Sequence, residues 1–235
     1  MSYYKTQGTL LRRHNLGEAD RILTLLTPEY GKIKVVAKGV RRGKSKMAGH
    51  LEPFVVVDLH IAKGRNLDII TSARGQRYYN PAHDQLDQLA LAHLLLEICD
   101  KVLTEQQPQP EAYGLLIEAL AGMEQGIDTY VVRHYFYVRL LEALGHKPEI
   151  RNDLIAPEYY LLLESGMLSS QRPVEDAALL PVDVVKLWRL MYANPLSQVA
   201  RIATARDLSR QAQTSIERFY NYQFGLRFRS EHILG

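Results

Sequence analysis

Between Lys38 and Lys46 the sequence reads KGVRRGKSK, five cations in nine residues with no acid among them. Like charges so placed repel one another, so the stretch makes sense chiefly against an anionic partner such as a phosphate backbone. Its inner segment GVRRGKS, Gly39 to Ser45, resembles a phosphate-binding P-loop. That motif needs four residues between its glycines, and only Val40, Arg41 and Arg42 stand there. A P-loop must also open a helix, whose first amides hold the phosphate. The following KMAGHLEPF, with Gly49 and Pro53, does not start one. Nucleotide hydrolysis is not expected.

Other catalytic chemistry finds little footing. The single cysteine, Cys99, excludes an internal disulfide and any multi-cysteine metal site. The eight histidines show no metal-binding spacing, and His93 and Cys99 fall within an apolar helical pattern. A metal-dependent nuclease needs clustered carboxylates. Asp58 and Asp68 on adjacent predicted strands, with Glu52 and Lys63 near them, are the one candidate group. No metal, cofactor or small-molecule substrate is expected. Nucleic-acid binding remains, because cations track phosphates and rings stack on unpaired bases. The candidate DNA contacts are Arg12, Arg13, Lys32, Lys34, Lys38, Arg41, Arg42, Lys44 and Lys46, with Tyr30, Phe54, Tyr78 and Tyr79 as available rings.

These residues fall within a run of predicted strands. GTLLRRHN and DRILTLLT are short apolar-rich segments, followed after TPEYG by KIKVVAKGV. PFVVVDLHIA and LDIITSARG are rich in β-branched residues and joined by KGRN. Five strands in under eighty residues, linked mostly by short turns, suit a small antiparallel barrel of the OB type. The one long connection is the basic stretch itself.

Beyond NPAHD the apolar period becomes helical. Asp84 is placed to cap QLDQLALAHLLLEICDKVL, Pro110 opens the next helix and Gly126 ends it, and a third runs from Asp128 to Gly145. PVDVVKLWRLMYAN and the region from Thr204 to Tyr222 supply more. The intervening stretch, about 146–180, is irregular, with a hairpin near Ser165-Gly166. The fold class is therefore α+β: a five-stranded OB barrel over 1–80, then a helical domain over 81–235 with a hairpin insertion.

Charge changes sign where the period changes. Residues 1–80 carry 15 Lys/Arg against 6 Asp/Glu, whereas residues 81–194 carry 8 against 17. Such asymmetry suggests segments with different partners. No apolar run nears the roughly 18 residues of a membrane span, and the first residues lack the apolar stretch of a signal peptide. A cytoplasmic protein is expected.

The segment GEADRILTLLTPEYGKIKVVAKGVRR, with its T-P-E-x-G-K turn and A-K-G strand end, resembles the N-terminal domain of the bacterial RecO family of recombination mediators. The likeness continues more weakly through RLLEALGHKPEI and NYQFGLRFRSEHIL. The resemblance implies an OB-fold joined to a helical domain and binding of single- and double-stranded DNA. It further implies annealing of complementary strands, and partnership with RecR and single-stranded-DNA-binding protein. It assigns DNA contact to the basic strand and loop, matched here by Lys32, Lys34, Lys38, Arg41 and Arg42. Many members carry a four-cysteine zinc ribbon after the segment matching LGHKPEI. Residues 145–173 contain no cysteine, so a metal-free, ribbon-like hairpin is expected.

The leading expectation is thus a non-enzymatic DNA-repair mediator of the bacterial cytoplasm, associated with the nucleoid when bound to DNA. The alternative is a general single-stranded DNA or RNA-binding OB protein with a helical interaction domain. In the family the helical domain binds the C-terminal tail of single-stranded-DNA-binding protein, an acidic peptide ending in an apolar residue and a free carboxylate. An apolar pocket with a cation at its mouth would suit it. Arg133, Tyr137 and Arg139 are the candidates, Arg133 and Tyr137 standing one helical turn apart.

Overall fold

The computed structural model describes residues 2–80, 86–150 and 154–226. Its contacts divide into two units, one of Met1–His83 with Ala92–Leu120, the other of Asp84–Leu91 with Ala121–Gly235. Each is built differently.

In the first unit five strands close into a barrel in the order β1-β2-β3-β5-β4. They are β1 (Tyr3–Leu16), β2 (Asp20–Thr27), β3 (Gly31–Ala37), β4 (Val55–Ala62) and β5 (Asp68–Tyr78). This is the OB-fold expected from the sequence. Alternation sends Leu23 and Leu25, Ile33 and Val35, and Val55, Val57, Leu59 and Ile61 into one interior cluster. The long β1 serves two neighbours. Tyr3–Thr9 pairs with β4, Thr9–Leu16 pairs with β2, and a register shift between Leu10 and Arg12 turns the strand from one to the other. A short parallel pairing of β3 with β5, Val35 opposite Asp68, completes closure.

The barrel's outer face is also covered in part. Leu26, opposite in phase to Leu25, is fully buried. The stretch 92–120 includes most of α1 (Leu86–Val102) and the first turns of α2 (Pro110–Glu124). It lies against the outside of the barrel: Gln106 donates its amide to the Lys32 carbonyl at 2.9 Å, and His93 meets Phe54 edge to face. Gly31 marks the closest approach, at φ +63, where a Cβ would collide with the Gln107 backbone. The cap expected of Asp84 lies outside the described residues.

The second unit is built on α3 (Thr129–Ala143), capped by Asp128, whose carboxylate accepts the Tyr130 amide at 3.0 Å. Residues 131–138 are all buried, so this helix is enclosed on every face. Around it pack α4 (Val182–Ala193), the short α5 (Leu196–Val199) and α6 (Ala205–Phe224). The cysteine-free insertion forms a three-stranded sheet, β7-β6-β8. The expected hairpin is β6 (Glu158–Leu162) with β7 (Leu168–Ser169), turned at Gly166. β8 (Ala177–Pro181), unforeseen, runs directly into α4. No described helix is long and apolar enough to cross a membrane.

Trp188, the only tryptophan, is fully buried and donates its indole N–H to Nε2 of His134 at 2.6 Å. The proton of this neutral imidazole therefore sits on Nδ1, which donates to Ser209 Oγ at 3.1 Å. Burial lowers the His134 pKa from 6.5 to about 3. The folded value lies below the unfolded one, so the imidazole's contribution to stability is whole above about pH 6.5 and is lost as pH falls toward 3. The urea midpoint followed by Trp188 fluorescence is expected to fall between about pH 7 and pH 4. His134→Gln should make that fall shallower.

Candidate nucleic-acid interface

Every cation of the opening stretch lies in the loop between β3 and β4, and that loop closes one end of the barrel. Val40 and Leu51 are buried in the barrel cluster, with Met47 and Ala48 packed against it. Apolar side chains at both ends of the loop thus plug the barrel, while Lys38, Arg41, Arg42, Lys44 and Lys46 stay exposed on the solvent side. From Gly31 through Leu51 there is no carboxylate.

The loop is also fastened to the β1–β2 turn. Gly39, at φ +65, begins the bend, and its amide donates to Asp20 Oδ1 at 2.7 Å. A side chain with a Cβ would be strained in that conformation. The Arg41 amide donates to the Ala19 carbonyl at 2.9 Å, and its guanidinium donates to the Gly17 carbonyl at 2.9 Å. Arg42 N–H to Gly39 O and Ser45 N–H to Arg42 O give the loop two successive turns. The cations therefore sit on a folded scaffold, which lowers the ordering cost of binding an anionic strand.

The remaining candidates are held differently. Arg13 pairs with Glu52, which Arg21 also approaches at 3.5 Å. Arg12 is exposed and lies 3.4 Å from Asp100. Lys34 pairs with Glu105 at 2.5 Å, a contact that holds the Glu105 carboxyl below its ordinary range. Lys32 departs from the sequence expectation of a surface contact. It is 7% exposed, and its ammonium donates to the Asp100 carbonyl beside the Asp100 carboxylate. The cover laid by residues 92–120 turns an outward strand lysine into an interior one.

Sequence reasoning passed over Arg74 and Arg77, exposed cations near the end of β5. Arg77 lies over the Tyr79 ring at 5.3 Å. They stand outside any charge run, and only strand order brings them beside β4. The rings also separate. Phe54 is buried, Tyr78 is half exposed at the loop end, and Tyr30 lies at the opposite end against Tyr4, with centroids 4.7 Å apart. That opposite end holds a cleft of about 420 Å³ lined by Glu29, Asp68 and Glu105 as well as Lys34 and Lys63. Burial alone would raise the Asp68 pKa, but hydrogen bonds from Gly64, Lys63 and Tyr4 outweigh it and hold the carboxyl below its ordinary value. Three acids make this end a poor surface for phosphates.

The carboxylates of the nuclease reading are each engaged elsewhere. Asp58 accepts from Gln7 at 3.1 Å and Gln76 at 2.6 Å, Asp68 is held as above, and Glu52 faces two arginines. No group of three or more His, Cys, Asp or Glu with metal-binding geometry occurs among the described residues.

In the helical unit the structure does not bring Arg133, Tyr137 and Arg139 to one surface. Arg133 is 8% exposed and pairs with Glu217 at 2.9 Å. Tyr137 is fully buried against Tyr220, centroids 5.0 Å apart. Arg139 donates to the Met191 and Tyr192 carbonyls at 3.0 and 3.2 Å, closing the C-terminal end of α4. Arg133 and Tyr137 are thus held inside the unit, whereas Arg139, also paired with Glu142 at 3.3 Å, is partly exposed. A different cleft, of about 380 Å³, lies where the start of α3 meets α5 and α6. Ile127, Val131 and Ile202 give it an apolar lining, and Arg201 and Arg206 stand at it, Arg206 paired with Asp128 at 3.0 Å.

Comparison with known proteins matches residues 1–79 to the family model described as Recombination protein O N terminal, and residues 83–232 to Recombination protein O C terminal. A protein named DNA repair protein RecO from Dehalococcoides mccartyi is 30% identical over 221 residues, 91% of this chain and 87% of the relative. One of the same name from Bifidobacterium longum is 33% identical over 216 residues, 86% and 90% of the two chains. Another from Bifidobacterium adolescentis is 29% identical with both chains covered in full.

Proposed function

The chain belongs to the RecO family of DNA repair proteins, and from that premise we propose that it is a non-enzymatic recombination mediator that holds DNA on the cation-lined end of its barrel. Repair and recombination are the family's role. The finer reading is that the protein anneals complementary strands and works with RecR on single strands coated by single-stranded-DNA-binding protein, in the bacterial cytoplasm and on the nucleoid. One observation carries it: five exposed cations, none of them ion-paired to an acid among the described residues, on a loop anchored to the barrel at Val40 and Leu51. In this division of labour residues 1–80 take the DNA and residues 81–235 meet protein partners. The RecR partnership rests on family membership alone.

For the tail of single-stranded-DNA-binding protein, the cleft at Arg201 and Arg206 fits better than the expected site on α3. It offers an apolar lining for the terminal side chain and the Arg201 guanidinium for a carboxylate, with Arg206 beside it on Asp128, where Arg133 and Tyr137 are interior. The test is strand annealing on naked and coated DNA. Wild type is expected to anneal both. The Arg201→Glu/Arg206→Glu variant should anneal naked strands normally and coated strands at least tenfold more slowly. Annealing of naked strands only, by wild type and variant alike, would favour a general single-strand binder. A variant equal to wild type on coated DNA would remove the cleft from the account.

A further inference from the structure

The barrel end that carries the cations also carries one built aromatic surface. Tyr78, the last residue of β5, is 50% exposed, a large solvent share for a ring held in place on two sides. Its hydroxyl shares a hydrogen bond of 2.6 Å with Nδ1 of His50. His50 closes the short 3-10 turn Ala48–His50, which begins two residues after Lys46 and packs on β5. Beneath the ring lies Gly75, and a Cβ there would collide with the Tyr78 ring. The register explains how strand neighbours reach this arrangement. Val57 pairs with Gly75 and Val56 with Arg77, so the β4–β5 ladder shifts at this point. A bulge of this kind re-aims a side chain along its own strand, and glycine in a strand often marks such a close approach.

Tyr78 is thus a ring with a backbone floor, a side-chain tether and an open face, adjoining a surface of exposed cations. A core aromatic would be covered, and a solvated one would need neither tether nor floor. We propose that Tyr78 is a stacking platform for an unpaired nucleobase of a DNA strand whose phosphates lie on the Lys38–Lys46 loop. This rests on the reading of the loop as the phosphate contact. The occupant is a base because an uncharged, planar π-face is what an open ring accepts beside a phosphate track, and every base has one. A duplex keeps its bases stacked on one another, so the platform discriminates in favour of single strands at a site whose charges do not.

The test uses the full-length protein and a short single-stranded oligonucleotide carrying 2-aminopurine, with a duplex of the same length as control. Removing a base–aromatic stack is worth roughly five- to a hundredfold in affinity. Tyr78→Ala is therefore expected to weaken single-strand binding at least about fivefold. Its duplex affinity should stay within about twofold, while Tyr78→Phe, which keeps the ring, should bind nearly as wild type. Gly75→Ala, which lifts the ring from its floor, should behave like Tyr78→Ala. The probe's fluorescence should be quenched by wild type and by Tyr78→Phe only. Equal single-strand affinity and quenching in wild type and Tyr78→Ala would overturn the platform while leaving the loop reading intact. Equal losses for single strands and duplex in Tyr78→Ala would also overturn it. A wild-type protein that bound neither DNA would end both readings.

Discussion

Replacing Lys38, Arg41 and Arg42 together by Glu is expected to lower affinity for single- and double-stranded DNA of any sequence by about a hundredfold or more at low salt. Each close cation–phosphate contact in water is worth roughly 1 kcal/mol, so three lost contacts alone give about this factor, and the reversed charges add repulsion. The loss should be uniform across sequences because phosphate contacts position a protein without reading bases. The fold should survive. The three side chains are exposed, and the apolar anchors Val40 and Leu51 are untouched. Filter binding or anisotropy on several unrelated oligonucleotides checks the affinity, and far-ultraviolet circular dichroism checks the fold. A variant that bound as tightly as wild type would reduce the loop to a solvated connection.

Arg133→Ala is expected to destabilise the helical unit by about 3–5 kcal/mol, the usual cost of leaving one partner of a buried ion pair alone. The two side chains are about one-tenth exposed and 2.9 Å apart. Burial already holds the Glu217 carboxyl above its ordinary pKa, with Arg133 and Gln213 offsetting only part of the rise. Without Arg133 that carboxyl must stay charged in an apolar setting or take up a proton. Urea unfolding followed at Trp188 measures the change in the unit that contains the pair. The double variant Arg133→Met/Glu217→Leu should regain most of the loss, because an apolar pair of similar volume removes the stranded charge. A single variant within about 1 kcal/mol of wild type would show that the pair is solvated.

Much of this protein is written in local pattern. The β-branched runs at 55–62 and 68–78 and the punctuation at Asp128 and Pro110 place their elements to within a few residues, since each signal acts on its own neighbours. Lys32 and Lys34 show where such reading stops. They share one face of β3, and nothing in the strand separates them. Residues 92–120, distant in sequence, cover the first and leave the second at the surface. Arg133 and Tyr137 carry a different lesson. The run TYVVRHYFYVRLL carries large apolar or aromatic residues on every face, which fits an enclosed helix. Arg133 is therefore placed by a buried partner, Glu217. Leu11, where β1 changes neighbours, and β8, the short strand that adjoins α4, give no sequence signal, because a bulge and a short third strand depend on pairing. The cleft at Arg201 and Arg206 is assembled from three segments and matches no motif.

The dependence of DNA affinity on salt tests the cation loop most directly, because it counts phosphates neutralised and is blind to other contributions. Five contacts on a single strand give a slope of log K against log salt of about −3.5, or roughly a hundredfold loss between 50 and 200 mM. In the Lys38→Glu/Arg41→Glu/Arg42→Glu variant, with Lys44 and Lys46 remaining, the slope should shrink to about −1.4. The same slope in both proteins would contradict the account, since the phosphates would then lie elsewhere on the chain.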